Sequence, residues 1–246
     1  MKKNILVTGA TSGIGRSIVQ KLDGESNHLI LVGRCPDKLS TLASQLTSST
    51  TSLAVDLTDI ESISALKQLL PSRIDGFVYA AGQESIEPIK SVCYKKFDYL
   101  MRLHVYAFVE ILKMIEKAKV KTDEYSTNVV AISSIASDSG GVGQTIYAAS
   151  KAALEAVVRV LAKELAAKRI RINTVKPGIV DTEMTRRWMR RIGIADKAQV
   201  DSMQLNGMAS PEDVASLIFY LLSDESRHIV GTQIKIDGGG PSGKIF

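Results

Sequence analysis

Short apolar runs alternate with longer amphipathic stretches along most of this chain. A short apolar run is typical of a buried parallel strand, and an amphipathic stretch between two runs is typical of the helix that connects them. The alternation therefore predicts a doubly wound α/β fold, with helices on both faces of a seven-stranded parallel sheet. The predicted strands are Asn4–Thr8, Leu29–Gly33, Ser52–Val55, Gly76–Ala80, Val129–Ser133, Ile170–Val175 and Gln233–Asp237.

Helical patterns fill the intervals between the predicted strands. The first begins at the Gly13-Ile14-Gly15 turn, the second follows Pro36-Asp37, and the third begins after Asp59. Proline and acidic residues are common at such helix starts. The Ser/Thr-rich segment 47–52 is interpreted as a polar connection. Longer patterns predict helices over about Lys95–Ala118, Tyr147–Ala167 and Pro211–Leu222.

The segment after the first predicted strand has the glycine spacing GxxxGxG over residues 9–15 and leads into a helical pattern. Glycine permits a positive φ in a tight turn and lets the backbone approach a ligand, and the helix N-terminus offers free N–H groups. Because both the strand and the helix are present, the turn predicts binding of a dinucleotide pyrophosphate. A glycine-rich turn that binds nothing is the alternative.

The second predicted strand ends in Gly33-Arg34 rather than in a carboxylate. A carboxylate there would bind the ribose 2′-hydroxyl of NAD, whereas an arginine suits the 2′-phosphate of NADP. The sequence therefore favours NADP(H), with Arg16 and Lys38 as further phosphate partners. A solvated loop arginine is the alternative interpretation of Arg34.

Composition excludes several classes of protein. The 31 basic and 26 acidic residues leave a mild, interspersed excess of charge, unlike that of a nucleic-acid-binding protein. Cys35 and Cys93 lack metal-ligand spacing, so we expect no metal site and a cytoplasmic location. The apolar run after Lys3 is too short for a signal peptide or a membrane span.

Several further segments resemble the short-chain dehydrogenase/reductase family, and the resemblance covers nearly the whole chain from Asn4 to Gly240. Within that family the chain is most similar to 3-oxoacyl-acyl-carrier-protein reductases. The resemblance implies one Rossmann-type dinucleotide-binding and catalytic domain over residues 1–246, a substrate lid at about residues 182–208, and a homodimer or homotetramer. The matching segments are residues 8–15, Asp56-Leu57, Ala80-Ala81-Gly82, Ser134, Tyr147 to Lys151, Asn173, Pro177-Gly178, Thr182 and Asp237-Gly238-Gly239.

Tyr147 and Lys151 stand four residues apart, so both side chains project from one face of a helix. A nearby ammonium favours the phenolate, so we expect Lys151 to lower the pKa of Tyr147 from about 10. The resemblance implies that Tyr147 exchanges a proton with the substrate, that Lys151 also holds the nicotinamide ribose, and that Ser134 hydrogen-bonds the substrate oxygen. Ser133 should point away from Ser134, because side chains alternate along a strand.

The resemblance also implies the remaining site residues. His104 stands where the family carries an asparagine of a proton relay, and histidine can donate or accept a hydrogen bond. A packed helix histidine is the alternative. The implied cofactor-binding residues are Gly9, Thr11, Ser12, Gly13, Ile14, Gly15, Arg34, Asp56, Leu57, Ala80, Ala81, Gly82, Tyr147, Lys151, Pro177, Gly178, Val180 and Thr182.

Two basic clusters bear on the substrate. Arg186, Arg187, Arg190 and Arg191 flank Trp188 in the expected lid, a combination that suits an apolar substrate with an anionic tail, such as a phosphopantetheine-linked acyl group. A solvated helix face is the alternative. The second cluster could contact an acyl carrier protein, or could only complement a helix dipole. It consists of Lys163, Lys168, Arg169 and Arg171.

These observations favour an NADPH-dependent reductase that converts a ketone, such as a 3-oxoacyl thioester, into a secondary alcohol. A first alternative is an NAD(P)-dependent dehydrogenase of a small alcohol, polyol or steroid, because fold alone does not determine the substrate. A second alternative is a non-catalytic nucleotide-sensing protein.

Overall fold

The computed structural model describes residues 2–119, 125–191, 193–194, 197–201 and 205–240. Among them, seven parallel strands form one sheet in the order β3-β2-β1-β4-β5-β6-β7. This confirms the predicted seven-stranded, doubly wound fold. The strands are β1 (Lys3–Thr8), β2 (Asn27–Gly33), β3 (Ser49–Ala54), β4 (Gly76–Tyr79), β5 (Thr127–Ile132), β6 (Ile170–Pro177) and β7 (Gln233–Ile236).

Helices cover both faces of the sheet. Short 3-10 segments occur at Ile89–Ser91, Ala166–Lys168 and Asp224–Ser226, and a π-helical turn covers Arg102–Tyr106. The α-helices are α1 (Gly13–Leu22), α2 (Pro36–Ala43), α3 (Ile60–Leu69), α4 (Tyr94–Met101), α5 (Ala107–Ala118), α6 (Ala136–Ser139), α7 (Thr145–Glu164), α8 (Glu183–Arg191), α9 (Lys197–Asp201) and α10 (Pro211–Leu222).

The pleat of each strand divides the core into two halves. Leu6 on β1 packs into the cluster formed with α3, α5 and α7, while its neighbours Ile5 and Val7 pack into the cluster formed with α1, α2 and α10. Burial of each such side chain contributes about 2 kcal/mol. A strand that is covered on both faces needs apolar residues at successive positions, which explains the continuous apolar runs.

Local signals account for the helix starts. The Asp59 carboxylate accepts from the backbone N–H groups of Glu61 and Ser62 at the first turn of α3. Ser210 and Asp213 form a reciprocal capping box at the start of α10, with Pro211 at the first helical position. Helix α10 therefore has the predicted bounds.

The structure departs from the prediction at two elements. Strand β3 begins at Ser49, inside the segment interpreted as a connection. It is an edge strand that pairs with β2, so its threonines need no continuous apolar cover and their branched side chains suit a strand. The single helix predicted over Lys95–Ala118 is interrupted by the π-helical turn at Arg102–Tyr106.

The expected lid contains α8 and α9. Residues 192, 195–196 and 202–204 of this predicted segment lie outside the described residues. Within the described ranges, no helix combines the length and the apolar character that a membrane crossing requires.

Candidate active site

A cavity of ≈ 650 Å³ opens at the carboxyl ends of the strands. It lies where the order of the strands reverses between β1 and β4, the place at which doubly wound sheets bind ligands. Its lining includes the turn after β1 at one end, and Ser134, Tyr147 and helix α8 at the other. The fold thus joins the predicted nucleotide-binding and catalytic residues in one space.

The glycine turn leaves no room for side chains. A Cβ on Gly15 would lie 2.1 Å from the carbonyl oxygen of Gly9, and a Cβ on Gly9 would lie 2.8 Å from that of Ala80. Gly9 and Gly13 have φ values of 65° and 50°, which favour glycine. Residues 11–16 line the cavity, and the first turn of α1 carries no acidic side chain. This cradle at a helix N-terminus fits the pyrophosphate of a dinucleotide.

The predicted cofactor residues divide into two groups. Arg34 lines the cavity with Arg16 and Lys38, as do Ala80, Gly82, Pro177, Gly178, Val180 and Thr182. By contrast, Gly9, Asp56, Leu57 and Ala81 are absent from the lining. The Asp56 carboxylate accepts from the backbone N–H and the hydroxyl of Thr58, and Leu57 packs in the core. A contact between Asp56 and the adenine ring therefore stays a prediction.

Ser134, Tyr147 and Lys151 meet in the cavity. Ser134 follows β5, and α7 carries the other two on one face. Lys151 Nζ donates to the Ile132 carbonyl oxygen at 2.9 Å and lies 5.9 Å from the centre of the Tyr147 ring. Ser133 points the other way, towards Glu155, as the strand alternation predicts.

The pKa values of Tyr147 and Lys151 differ from the expectation. Burial raises the pKa of Tyr147, the hydrogen bond with the Ser134 side chain lowers it, and the charge of Glu84 raises it. Burial lowers the pKa of Lys151 to about 8, while the Glu155 carboxylate opposes this shift. The predicted lowering of the tyrosine pKa by Lys151 is therefore not found, because desolvation of the phenol dominates and the lysine Nζ donates to a backbone carbonyl.

His104 is fully buried in the π-helical turn and does not line the cavity. Ser150 Oγ donates its proton to the Tyr147 carbonyl, so His104 Nδ1 donates to Ser150 Oγ at 2.8 Å. His104 Nε2 then accepts from the Gln83 backbone N–H. Burial and the charge of Lys151 hold the pKa of His104 well below 6.5. A neutral imidazole with both nitrogens engaged favours a positioning role for His104, and the predicted relay stays a prediction.

A buried polar network lies beneath Lys151. Glu155 accepts from the hydroxyls of Ser133 and Ser137 and from Lys176 Nζ at 3.1 Å. Lys176 Nζ also lies 2.6 Å from the Asp138 carboxylate. Sequence reasoning missed this network, although Glu155 follows Lys151 by four residues and so lies on the same face of α7.

Sequence reasoning also missed the loop after β4 and the residue before α7. Gln83, Glu84, Ser85 and Ile86 line the cavity, and so does Gln144. Their positions in the sequence could have indicated them. The loop directly follows the carboxyl end of a central strand, and Gln144 precedes Tyr147 by three residues.

Residues of the two predicted basic clusters have different surroundings in the structure. Arg187 and Arg191 line the cavity with Trp188. Arg187 also lies 4.0 Å from the Glu183 carboxylate, and Arg186 is paired with Asp181. In the second cluster, Lys168 is paired with Glu116. Arg171 is buried and donates to the carbonyls of Leu221, Ser223 and Ile229. These two side chains therefore have structural partners within the chain.

This chain is similar to known proteins over nearly its full length. A family model described as enoyl-(acyl carrier protein) reductase matches residues 9–240. L-xylulose reductase of Bos taurus is 31% identical over 238 residues, which are 96% of each chain. The 3-oxoacyl-[acyl-carrier-protein] reductase FabG of Rickettsia felis is 32% identical over 237 residues, again 96% of each chain.

Solved structures show the same fold. L-sorbose reductase from Gluconobacter frateurii, solved with NADPH and L-sorbose, is 25% identical with a TM-score of 0.89, and covers 98% of this chain and 97% of its own. A 4-hydroxyisoleucine dehydrogenase solved with NADH is 27% identical with a TM-score of 0.87, and covers 99% of this chain and 100% of its own. With the glycine turn, the Ser134, Tyr147 and Lys151 cluster and a family model matched from residue 9 to residue 240, this chain belongs to the short-chain dehydrogenase/reductase family of nicotinamide-dependent oxidoreductases.

Proposed function

We propose that this protein is an NADPH-dependent reductase that converts a ketone into a secondary alcohol. The observation that carries the proposal is one cavity that joins the glycine turn to Ser134, Tyr147 and Lys151. A nucleotide-sensing protein would need the glycine turn but not these three side chains beside it.

Several residues of the chain fit a nicotinamide dinucleotide. The backbone of residues 11–15 would hold the pyrophosphate, Arg34 the 2′-phosphate, and Val180 and Thr182 the carboxamide. Lys151 would hold the nicotinamide ribose. When bound, the reduced cofactor supplies the hydride.

The side chains of the protein manage the proton and the orientation of the substrate. Because its pKa is raised, the Tyr147 phenol is protonated at neutral pH and can donate its proton to the substrate oxygen. Ser134 would donate a hydrogen bond to the same oxygen and fix its position. The ammonium of Lys151 stabilises the phenolate that remains after the proton has moved.

Two observations favour different ketones. Arg187 and Arg191 at the lid end of the cavity suit an anionic tail, as in a 3-oxoacyl thioester on an acyl carrier protein. The similarity to L-xylulose and L-sorbose reductases supports a small polyhydroxylated ketone. In the second basic cluster, Lys168 and Arg171 already have partners within the chain, which weakens the case for a carrier protein.

The test is the initial rate of NADPH oxidation with a 3-oxoacyl thioester, a ketose and a simple ketone, repeated with NADH. The Tyr147→Phe variant should lose about 10²–10⁴-fold in kcat, because it lacks the proton donor, and should still bind NADPH. Tyr94→Phe, at a tyrosine that is 77% exposed, is the matched control. Turnover in Tyr147→Phe at the wild-type rate would exclude the assigned proton donor.

A further inference from the structure

Lys176 on β6 carries a charged side chain into the core. The side chain is 1% exposed and extends from the same face of the strand as the core residue Ile172. Burial of an ammonium is costly unless carboxylates pair with it. Lys176 Nζ lies 2.6 Å from an oxygen of Asp138 on α6 and 3.1 Å from an oxygen of Glu155 on α7. One buried cation therefore joins β6, α6 and α7.

The Asp138 carboxylate also has a second partner. Its other oxygen lies 3.0 Å from Lys235 Nζ on β7. The side chains of Asp138 and Lys235 are 46% and 48% exposed, and an ion pair between two exposed groups contributes little free energy. Lys176 is the stronger partner, because its ammonium is shielded from water and a contact with it is screened less.

The position of Ser134 depends on the short helix α6 that follows it. The Ser134 hydroxyl accepts from the Ala136 backbone N–H at 3.2 Å, and the Ser134 carbonyl accepts from the Ser137 N–H at 3.2 Å. A helix of four residues is not stable by itself. The backbone N–H of Ile135 donates to the Pro177 carbonyl at 3.1 Å, which attaches the start of this segment to β6. The other end of α6 needs an attachment of its own.

We infer that Asp138 and Lys176 are positioning residues, whose ion pair anchors α6 and so fixes the Ser134 hydroxyl where it meets the substrate oxygen. The inference rests on the proposed reductase function. Neither residue lines the cavity, so both act through Ser134. A buried ion pair adds little net stability compared with apolar side chains of the same volume. Orientation of the segment after β5 therefore accounts for this pair better than stability does.

The kinetic test is a double-mutant cycle with the ketone that the wild type reduces fastest among those tested above. Asp138→Ala should lower kcat about tenfold, because Ser134 is displaced, and should leave the KM for NADPH unchanged. Ser134→Ala keeps the Tyr147 proton donor and so retains a residual rate, which Asp138→Ala should lower less than about twofold further. The control, Glu110→Ala, removes an ion pair with Lys113 inside α5 and should leave kcat unchanged. An equal loss in both backgrounds, or no loss in either, would overturn the inference.

Amide hydrogen exchange separates this inference from the proposed function, because it needs no turnover. Mass spectrometry of the segment 134–140 should show exchange about tenfold faster in Asp138→Ala than in the wild type. Lys235→Met, which removes only the exposed partner of Asp138, should leave the exchange unchanged. Faster exchange in Asp138→Ala, in a protein that reduces no ketone, would refute the reductase and keep the anchor. Unchanged exchange in Asp138→Ala, or the full effect in Lys235→Met, would overturn the inference.

Discussion

Two effects act in opposite directions on the pKa of Lys151. Burial lowers its pKa to about 8, and the Glu155 carboxylate acts to raise it. Glu155 is held in turn by Ser133, Ser137 and Lys176. The ammonium is thus retained at neutral pH by a carboxylate that does not line the cavity.

This arrangement predicts how the reduction depends on pH. Because a lowered pKa means that the cation is lost at a lower pH than in a free lysine, kcat/KM for reduction should fall as the pH rises through about 8. Glu155→Gln removes the opposing charge, so the falling limb should move to lower pH. The measurement is the pH profile of kcat/KM. Glu164→Gln, at an exposed position near the end of the same helix, should leave the limb in place, and an unmoved limb in Glu155→Gln would contradict this account.

The buried Oε1 atom of Gln144 predicts a change in stability. Replacing Gln144 by leucine removes a buried carbonyl oxygen that accepts no hydrogen bond from the described residues, so we expect the free energy of unfolding to rise by about 1 kcal/mol. Urea unfolding of the wild type and Gln144→Leu, monitored by circular dichroism, measures the difference. A loss of stability would indicate that the amide has a structural partner.

At the scale of elements, the turn between β1 and α1 depends on backbone packed against backbone. Glycine at position 15 lets α1 begin directly over the Gly9 carbonyl, and glycine at position 9 lets the turn lie against the end of β4. The N–H groups of α1 are thereby presented at the edge of the sheet, where an anion can approach them.

The addition of one methyl group at position 15 tests the role of this turn. In Gly15→Ala the new Cβ would lie 2.1 Å from the Gly9 carbonyl oxygen, so the turn must open. We expect NADPH affinity to fall at least tenfold and stability to fall by about 2 kcal/mol or more. Gly24→Ala is the control, since nothing lies within 4 Å of its Cβ. NADPH titration and urea unfolding measure both effects, and unchanged affinity in Gly15→Ala would refute the assigned phosphate site.

At the scale of the whole molecule, the two ends of the cavity lie at the carboxyl edge of the same sheet. Arg34 follows β2 on one side of the strand reversal, and Ser134 follows β5 on the other. A ligand that spans the cavity therefore contacts both halves of the sheet and should stabilise the domain as one unit.

This coupling predicts a difference between the two nicotinamide cofactors. NADPH at 100 times its Kd should add about 2.7 kcal/mol to the free energy of unfolding. NADH at the same concentration should add less, because it has no 2′-phosphate for Arg34. Arg34→Leu should bring the NADPH effect down to that of NADH, while Lys67→Leu on α3 should not. Thermal unfolding with each cofactor measures this, and equal shifts in the wild type would contradict the assigned preference for NADP.

The sequence by itself determined the elements and the spacing within them. Strand and helix periods, the helix starts after Asp59 and at Pro211, the glycine turn and the four-residue interval from Tyr147 to Lys151 depend on neighbours along the chain. For this reason they could be predicted without the fold. The start of β3 and the π-helical turn could not, because each depends on what packs against it: β2 pairs with one, and the Tyr79 hydroxyl donates to the Leu103 carbonyl in the other.

Only the tertiary structure decided what surrounds the side chains of the proposed active site. The crossovers of the sheet bring Glu84, Gln144 and Arg187 from three separate segments to one cavity, and no local pattern encodes that meeting. Desolvation is likewise a property of the packed state, and it reversed the expected shift of the Tyr147 pKa. The sequence therefore determined which side chains are available for the proposed chemistry, and the fold decided their protonation and their neighbours in the cavity, because burial and long-range contact exist only in the folded chain.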